Sequence, residues 1–166
     1  MLMAREVLAY KSALGRILID CVEGGASVSF MVGISEEKAE RFFEEVANSI
    51  EKNERLLIAA FLDGTLVGTV QVVTGMPENQ PHRAEVAKLL VARHARGRGI
   101  GTALMRQAEE ATRLAGRTLL VLDTATGGDA ERLYERLEWN KIGVIPKYSL
   151  LPDGQPCATT IFWKEL

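Results

Sequence analysis

The chain has 166 residues, 47% of them hydrophobic and 25% charged, with a formal net charge of −2. Those values predict one globular domain with a sizeable buried core and exclude a disordered or low-complexity protein. A near-neutral, slightly acidic balance creates no field that gathers polyanions, which argues against a dedicated DNA or RNA binder.

In chain order, Ala4–Val22 carries Val7, Leu8, Leu14, Ile17, Leu18, Cys21 and Val22 at the spacings of an amphipathic helix. Gly24 and Gly25 end it. Ala26–Val32 (ASVSFMV) alternates only briefly and reads as extended or irregular. Ser35, followed by Glu37 and Lys38, is the expected N-cap of a second helix running to about Asn53, with Ala39, Phe42, Phe43, Val46 and Ile50 on one face. The period then changes. Leu56–Leu62 and Leu66–Thr74 read as strands joined by Asp63-Gly64, a strong hairpin signal. A polar loop, Gly75–Arg83, precedes a further strand, Ala84–Ala92.

Ile100–Ala115 again has helical spacing, with Gly116 as its stop. Thr118–Leu122 (TLLVL) is apolar throughout, as a buried central strand is. Asp129–Leu137 is a short helix with Asp129 as its expected N-cap. Two more strands, Lys141–Ile145 into Ser149 and Ala158–Lys164, flank a turn at Pro152-Asp153-Gly154. The order implies a mixed α/β sheet with helices on both faces.

Between the strand ending at Ala92 and the helix starting at Ile100 lies the basic, glycine-rich stretch VARHARGRGIG (Val91–Gly101). It is not a P-loop, because no lysine follows the glycines. It is not a dinucleotide fingerprint either, because Thr102 occupies the place of the third glycine. Arg96, Gly99 and Gly101 satisfy R-x-x-G-x-G. Glycines allow close backbone approach, and the amides of Gly97–Thr102 would open the helix toward an anion, with the Thr102 hydroxyl and the Arg96 or Arg98 charge beside them. On spacing alone the stretch is either a pyrophosphate cradle or a solvated basic turn.

VARHARGRGIGTALM, followed downstream by AERLYERLEW (Ala130–Trp139), resembles the acetyl-CoA-binding region of the GNAT superfamily of N-acetyltransferases. EGGASVSFM (Glu23–Met31), RAEVAKLLV (Arg83–Val91), LDTATG (Leu122–Gly127) and YSLLPDGQPCATTIFWK (Tyr148–Lys164) further resemble the tabtoxin-resistance branch, which acetylates a small β-lactam amino acid. The resemblance implies a mainly antiparallel central sheet splayed in the middle and acetyl-CoA as cosubstrate. It also implies a small-molecule amine as acceptor, with antibiotic resistance one biological role. A homodimer follows only from the habits of the superfamily. Two departures stand out. Glu138 replaces the usual glycine after the tyrosine helix, and Met1 and Met3 sit where family members have a first strand, so an edge strand is lost or the chain starts late.

By the same resemblance, Leu90, Val91, Arg96, Gly97, Arg98, Gly99, Ile100, Gly101, Thr102 and Tyr134 bind the cofactor. An amide near Leu90–Val91 faces the thioester carbonyl. Tyr134 becomes the candidate general acid beside the sulfur, although its helical face alone would make it a core tyrosine. Glu85 and Asp123, acids at strand ends, are the candidate bases or ammonium anchors, with His82 a third. Acceptor-facing surface is expected from the first helices, Gly24–Met31 and Gly75–Arg83. Cys21 and Cys157 lack CxxC spacing and a paired histidine, so neither a disulfide scaffold, a zinc site nor a cysteine nucleophile is expected. No apolar run long enough to span a membrane and no signal peptide is read, which predicts a cytoplasmic protein. Two other readings remain: a protein or peptide N-acetyltransferase, and a non-catalytic CoA-binding regulatory module.

Overall fold

The hydrophobic stripes sort the helices onto two faces of one sheet in the computed structural model, which describes residues 1–166. On one face lie α1 (Ala4–Glu23) and α2 (Glu36–Glu51), whose Leu14, Leu18 and Phe43 pack with Leu57, Leu66 and Leu90. Ser35 caps α2 as expected, its hydroxyl accepting from the Lys38 amide at 3.2 Å. The opposite face carries α3 (Ile100–Leu114) and α4 (Asp129–Arg136), packed with Val70, Val86, Leu120 and Phe162. No helix is long and apolar enough to cross a membrane.

The strands are β1 (Arg55–Leu62), β2 (Thr65–Val73), β3 (Arg83–Val91), β4 (Leu119–Ala125), β5 (Asn140–Leu150) and β6 (Pro156–Glu165). They form a six-stranded sheet in the order β1-β2-β3-β4-β6-β5. Every neighbouring pair is antiparallel except β3 and β4, which the crossover through α3 makes parallel. Asp63 and Gly64 turn β1 into β2 with φ of 50° and 77°, the left-handed pair that a two-residue hairpin requires.

The β3–β4 ladder holds only where Arg83–Glu85 face Leu119–Val121. Beyond it the strands part. β3 bulges there: Ala87 pairs with Gln71 and Leu90 with Thr69, so Lys88 and Leu89 share the place opposite Val70. Lys88 takes φ 52°. A bulge bends and twists its strand, which turns the end of β3 away from β4 and opens the middle of the sheet.

Several boundaries depart from the sequence expectation. Gly128, not Asp129, is the N-cap of α4. Asp129 is already the first helical residue, and no side chain caps the helix; the Glu131 carboxylate instead reaches back past the cap and accepts from the Gly127 amide. β4 runs past Leu122 to Ala125, continued by its pairing with β6. A short 3-10 turn, Arg93–Ala95, separates β3 from the glycines. Ahead of α1, Leu2 makes one antiparallel bridge to Leu57 on the outer edge of β1, its amide donating at 2.8 Å.

After α4 the chain turns through Glu138 at φ 60°, the position where the resemblance leads one to expect glycine. Left-handed backbone costs an L-residue about 1–2 kcal/mol, while glycine costs about 0.5–1 kcal/mol through the unfolded chain. Glu138→Gly is therefore expected to raise stability by roughly 0.5–1 kcal/mol in urea unfolding. The neighbouring side chains already hold this turn. Trp139 Nε1 donates to Glu109 at 3.0 Å, and Lys164 Nζ joins Glu109 at 3.0 and 3.1 Å and the Leu137 carbonyl at 2.8 Å.

Candidate active site

The gap between β3 and β4 is the entrance to a cleft of about 710 Å³. One end of it is built by the turn that opens α3. Gly97 and Gly99 both have positive φ, 73° and 77°, and Gly99 is the N-cap. Such alternation bends the chain so that successive N–H groups point to one side as an anion nest. The backbone amides of Gly97 through Thr102 donate to no group of the protein; the first helical bond is Ala103 to Gly99 at 3.0 Å. They stand at the positive end of α3. Gly101 serves packing instead, since a Cβ there would lie 3.2 Å from Leu133 of α4.

The arginines contribute less than their number suggests. Arg96 folds back, its Nε donating to the Val91 carbonyl at 3.1 Å and Nη2 lying 3.9 Å from the sulfur of Cys21. Arg98 is exposed and does not line the cleft. Arg93 secures the 3-10 turn to α1 through its amide and Nε, each 2.7 Å from Asp20. Burial alone would raise the Asp20 carboxyl, but these bonds overcome it and hold the group below its ordinary value.

At the end of β3, Ala92 N–H bonds the Val67 carbonyl at 2.9 Å. Hydrogen-bonding direction alternates along an antiparallel pair, so the amide and carbonyl of Val91 face away from β2 and into the gap. The Val91 carbonyl is taken by Arg96; its N–H is left facing the cleft. Leu90 belongs elsewhere: its backbone pairs with Thr69 and its side chain is buried against α1 and α2.

Tyr134 projects from α4 and is buried, with its ring against Trp139 and Phe162 at centroid distances of 6.0 and 5.9 Å. Its phenol still lines the cleft. Burial first, and the Asp123 carboxylate second, push that phenol well above its ordinary pKa and keep it protonated. Asp123, on the stretch of β4 that has parted from β3 but still pairs with β6, lines the same space. Glu85 is not brought there: it sits where β3 and β4 are still paired, bound to Arg83 at 2.7 Å. His82 and the Gly75–Arg83 loop lie outside the cleft too, because they feed β3 at its start whereas the gap opens at its end.

The far end of the cleft is covered by Gly24–Ser29, part of the stretch that the sequence marked as acceptor-facing. This segment is tied across to the β5–β6 hairpin by Ser27 Oγ, which donates to Leu150 O at 3.2 Å, and the chain just beyond it by Val32 N, which donates to Pro152 O at 3.0 Å. Beneath it is a residue the sequence reading overlooked. Lys88, carried inward by the bulge, donates from Nζ to Ser29 Oγ at 3.0 Å. Burial pulls its ammonium below the ordinary lysine value, while the Asp123 carboxylate acts in the other direction. A lone lysine inside the apolar run AEVAKLLV was the available signal. Arg132 and Arg136 of α4 were overlooked as well and add positive charge to the wall.

The family model for the acetyltransferase (GNAT) family matches residues 25–139. Among solved structures, the chain is similar to ribosomal-protein-alanine N-acetyltransferase from Brucella melitensis, at 22% identity and a TM-score of 0.79, covering 96% of both chains. It is also similar to yncA from Salmonella typhimurium, solved with its cofactor acetyl-CoA, at 15% identity and TM-score 0.79 over 96% of this chain and 90% of that one. A third likeness is to aminoglycoside 6'-acetyltransferase type Ii, at 22% identity and TM-score 0.68 over 95% and 90%.

Proposed function

The chain belongs to the acetyltransferase (GNAT) family and is an N-acetyltransferase that uses acetyl-CoA; on that premise we propose that its acceptor is the primary amine of a small, amino-acid-like molecule. The observation that carries this reading is the pair of opposite charges, Lys88 and Asp123, beneath the covered end of the cleft. A zwitterion presents an ammonium to one and a carboxylate to the other. Such an acceptor suits the tabtoxin-resistance branch that the sequence resembles. Resistance to an amine-bearing antibiotic is then one biological role.

The residues of the cleft fit acetyl-CoA. The unpaired amides of Gly97–Thr102 suit a pyrophosphate, with Arg96 and Arg132 beside them. Bound there, acetyl-CoA supplies the acetyl group as a thioester. The Val91 N–H offers a fixed donor to a carbonyl oxygen in the gap. Asp123 orients the acceptor ammonium and takes its proton, directly or through water. Tyr134, kept protonated by burial, gives its phenolic proton to the departing thiolate. Glu85 has no part in this scheme, being bound to Arg83 outside the cleft.

The test is thiol release from acetyl-CoA across amino acids, aminoglycosides, polyamines and short peptides. Small zwitterionic amines are expected to turn over best. Turnover of peptides alone would replace this reading with a protein N-acetyltransferase, and tight acetyl-CoA binding without any turnover would replace it with a regulatory module. Lys88→Met is expected to raise KM for a carboxylate-bearing acceptor about tenfold, leaving KM for acetyl-CoA unchanged, since a charge-assisted hydrogen bond contributes about 1.5–3 kcal/mol. An equal change in both constants would remove Lys88 from the acceptor site.

A further inference from the structure

α3 begins at the cleft and, 15 residues later, ends at a second cavity, about 22 Å away along its axis. This cavity, of about 630 Å³, shares no lining residue with the first. Two half-buried guanidinium groups enter it, Arg55 at the start of β1 and Arg117 beyond α3, and neither forms an ion pair. Each has a single acceptor in the protein. Arg55 Nη1 donates to Gln71 Oε1, and Arg117 Nη2 donates to the Thr74 carbonyl at 3.3 Å. Both Nε atoms are buried without a partner. Burial draws the Arg55 guanidinium below its ordinary pKa, although Glu54 acts against this. Partly buried charge without a counter-ion is costly, and proteins ordinarily pair it.

The first turn of α1 faces the same space. The amides of Ala4 and Arg5 have no acceptor, while those of Met3, Glu6 and Val7 are bonded. They form the positive end of a 20-residue helix. The remaining wall is largely apolar, with Leu2, Met3, Ile50 and Leu56. Glu51 on the rim opposes a highly charged ligand.

We propose that this cavity is a second ligand site, for a monocarboxylate with an apolar body. The carboxylate lies between the free Nη atoms of Arg55 and Arg117 and the amides opening α1, and the hydrocarbon lies on the Met3, Ile50 and Leu56 wall. A carboxylate supplies the missing counter-ion with one charge, and the apolar body gains by leaving water.

The probe is octanoate, with 1-octanol and inorganic phosphate as controls, added to the full chain and followed by thermal shift and backbone amide shifts. Octanoate is expected to raise the melting temperature, also in the presence of saturating CoA, and to move the amide signals of Met3–Arg5, Thr74 and Arg117. Octanol and phosphate are expected to bind at least about tenfold more weakly. Arg55→Gln and Arg117→Gln are each expected to weaken octanoate by about tenfold. Octanol binding as well as octanoate, displacement of octanoate by CoA, shifts confined to Gly97–Thr102, or no binding would each overturn the proposal. The wild-type amide map decides the matter even if either variant fails to fold.

Discussion

Tyr134→Phe is expected to lower kcat by roughly 10²–10⁴-fold, the range of a lost general acid, with little change in acetyl-CoA affinity. The ring that remains keeps its contacts with Trp139 and Phe162, so α4 stays in place and only the proton donor is removed. A loss of binding as large as the loss of turnover would show that the tyrosine is a packing residue. The pH profile separates the roles further. Burial and Asp123 raise the folded phenol above its ordinary value, so the neutral form is the one the fold favours. Its contribution to stability is complete below about pH 10 and is lost as pH climbs from there toward the raised value. Urea unfolding of the wild type is expected to weaken in that alkaline range, and Tyr134→Phe to weaken less. A fall of wild-type kcat below pH 10 that Tyr134→Phe abolishes would contradict a phenol held protonated.

Gly99→Val is expected to do the reverse, raising the Kd for acetyl-CoA by about 30–100-fold while sparing kcat at saturation. The cause is backbone conformation. A Cβ at Gly99 would meet nothing within 4 Å, yet the residue stands at φ 77°, which a β-branched side chain opposes. About 2–3 kcal/mol of strain is released by rotating the turn, and the amides then no longer converge. Calorimetric titration with CoA reads this directly. An unchanged Kd would mean that the pyrophosphate is not held by these amides. The fold survives because Gly99 lies before α3 and contributes no core side chain.

The elements were legible wherever a side-chain period was strong. α1, α2, α3 and the β1–β2 hairpin stand within a few residues of their expected places, because stripes such as Leu14–Leu18–Cys21 and the Asp63-Gly64 turn act locally. The glycine turn was legible for the same reason: positive φ at Gly97 and Gly99 is a local demand. Asp129 was misplaced because glycine also serves as an N-cap, and Gly128 stands directly before it.

Charge-bearing residues on strands were harder to place, since their surroundings come from distant parts of the chain. Glu85 and Asp123 look alike as strand acids. What distinguishes them is where β3 stops pairing with β4, which depends on a bulge whose register is set by β2. The sequence by itself determined the alternation of helices and strands, the unpaired amides opening α3 and, through its motifs, the family. Only the tertiary structure decided that Asp123 shares a cleft with Tyr134, that Lys88 turns inward beside them and that Arg55 and Arg117 meet in one cavity. The physical reason is range. Helix and turn preferences act over a few residues, whereas burial and charge pairing arise only once segments far apart in sequence are brought into contact.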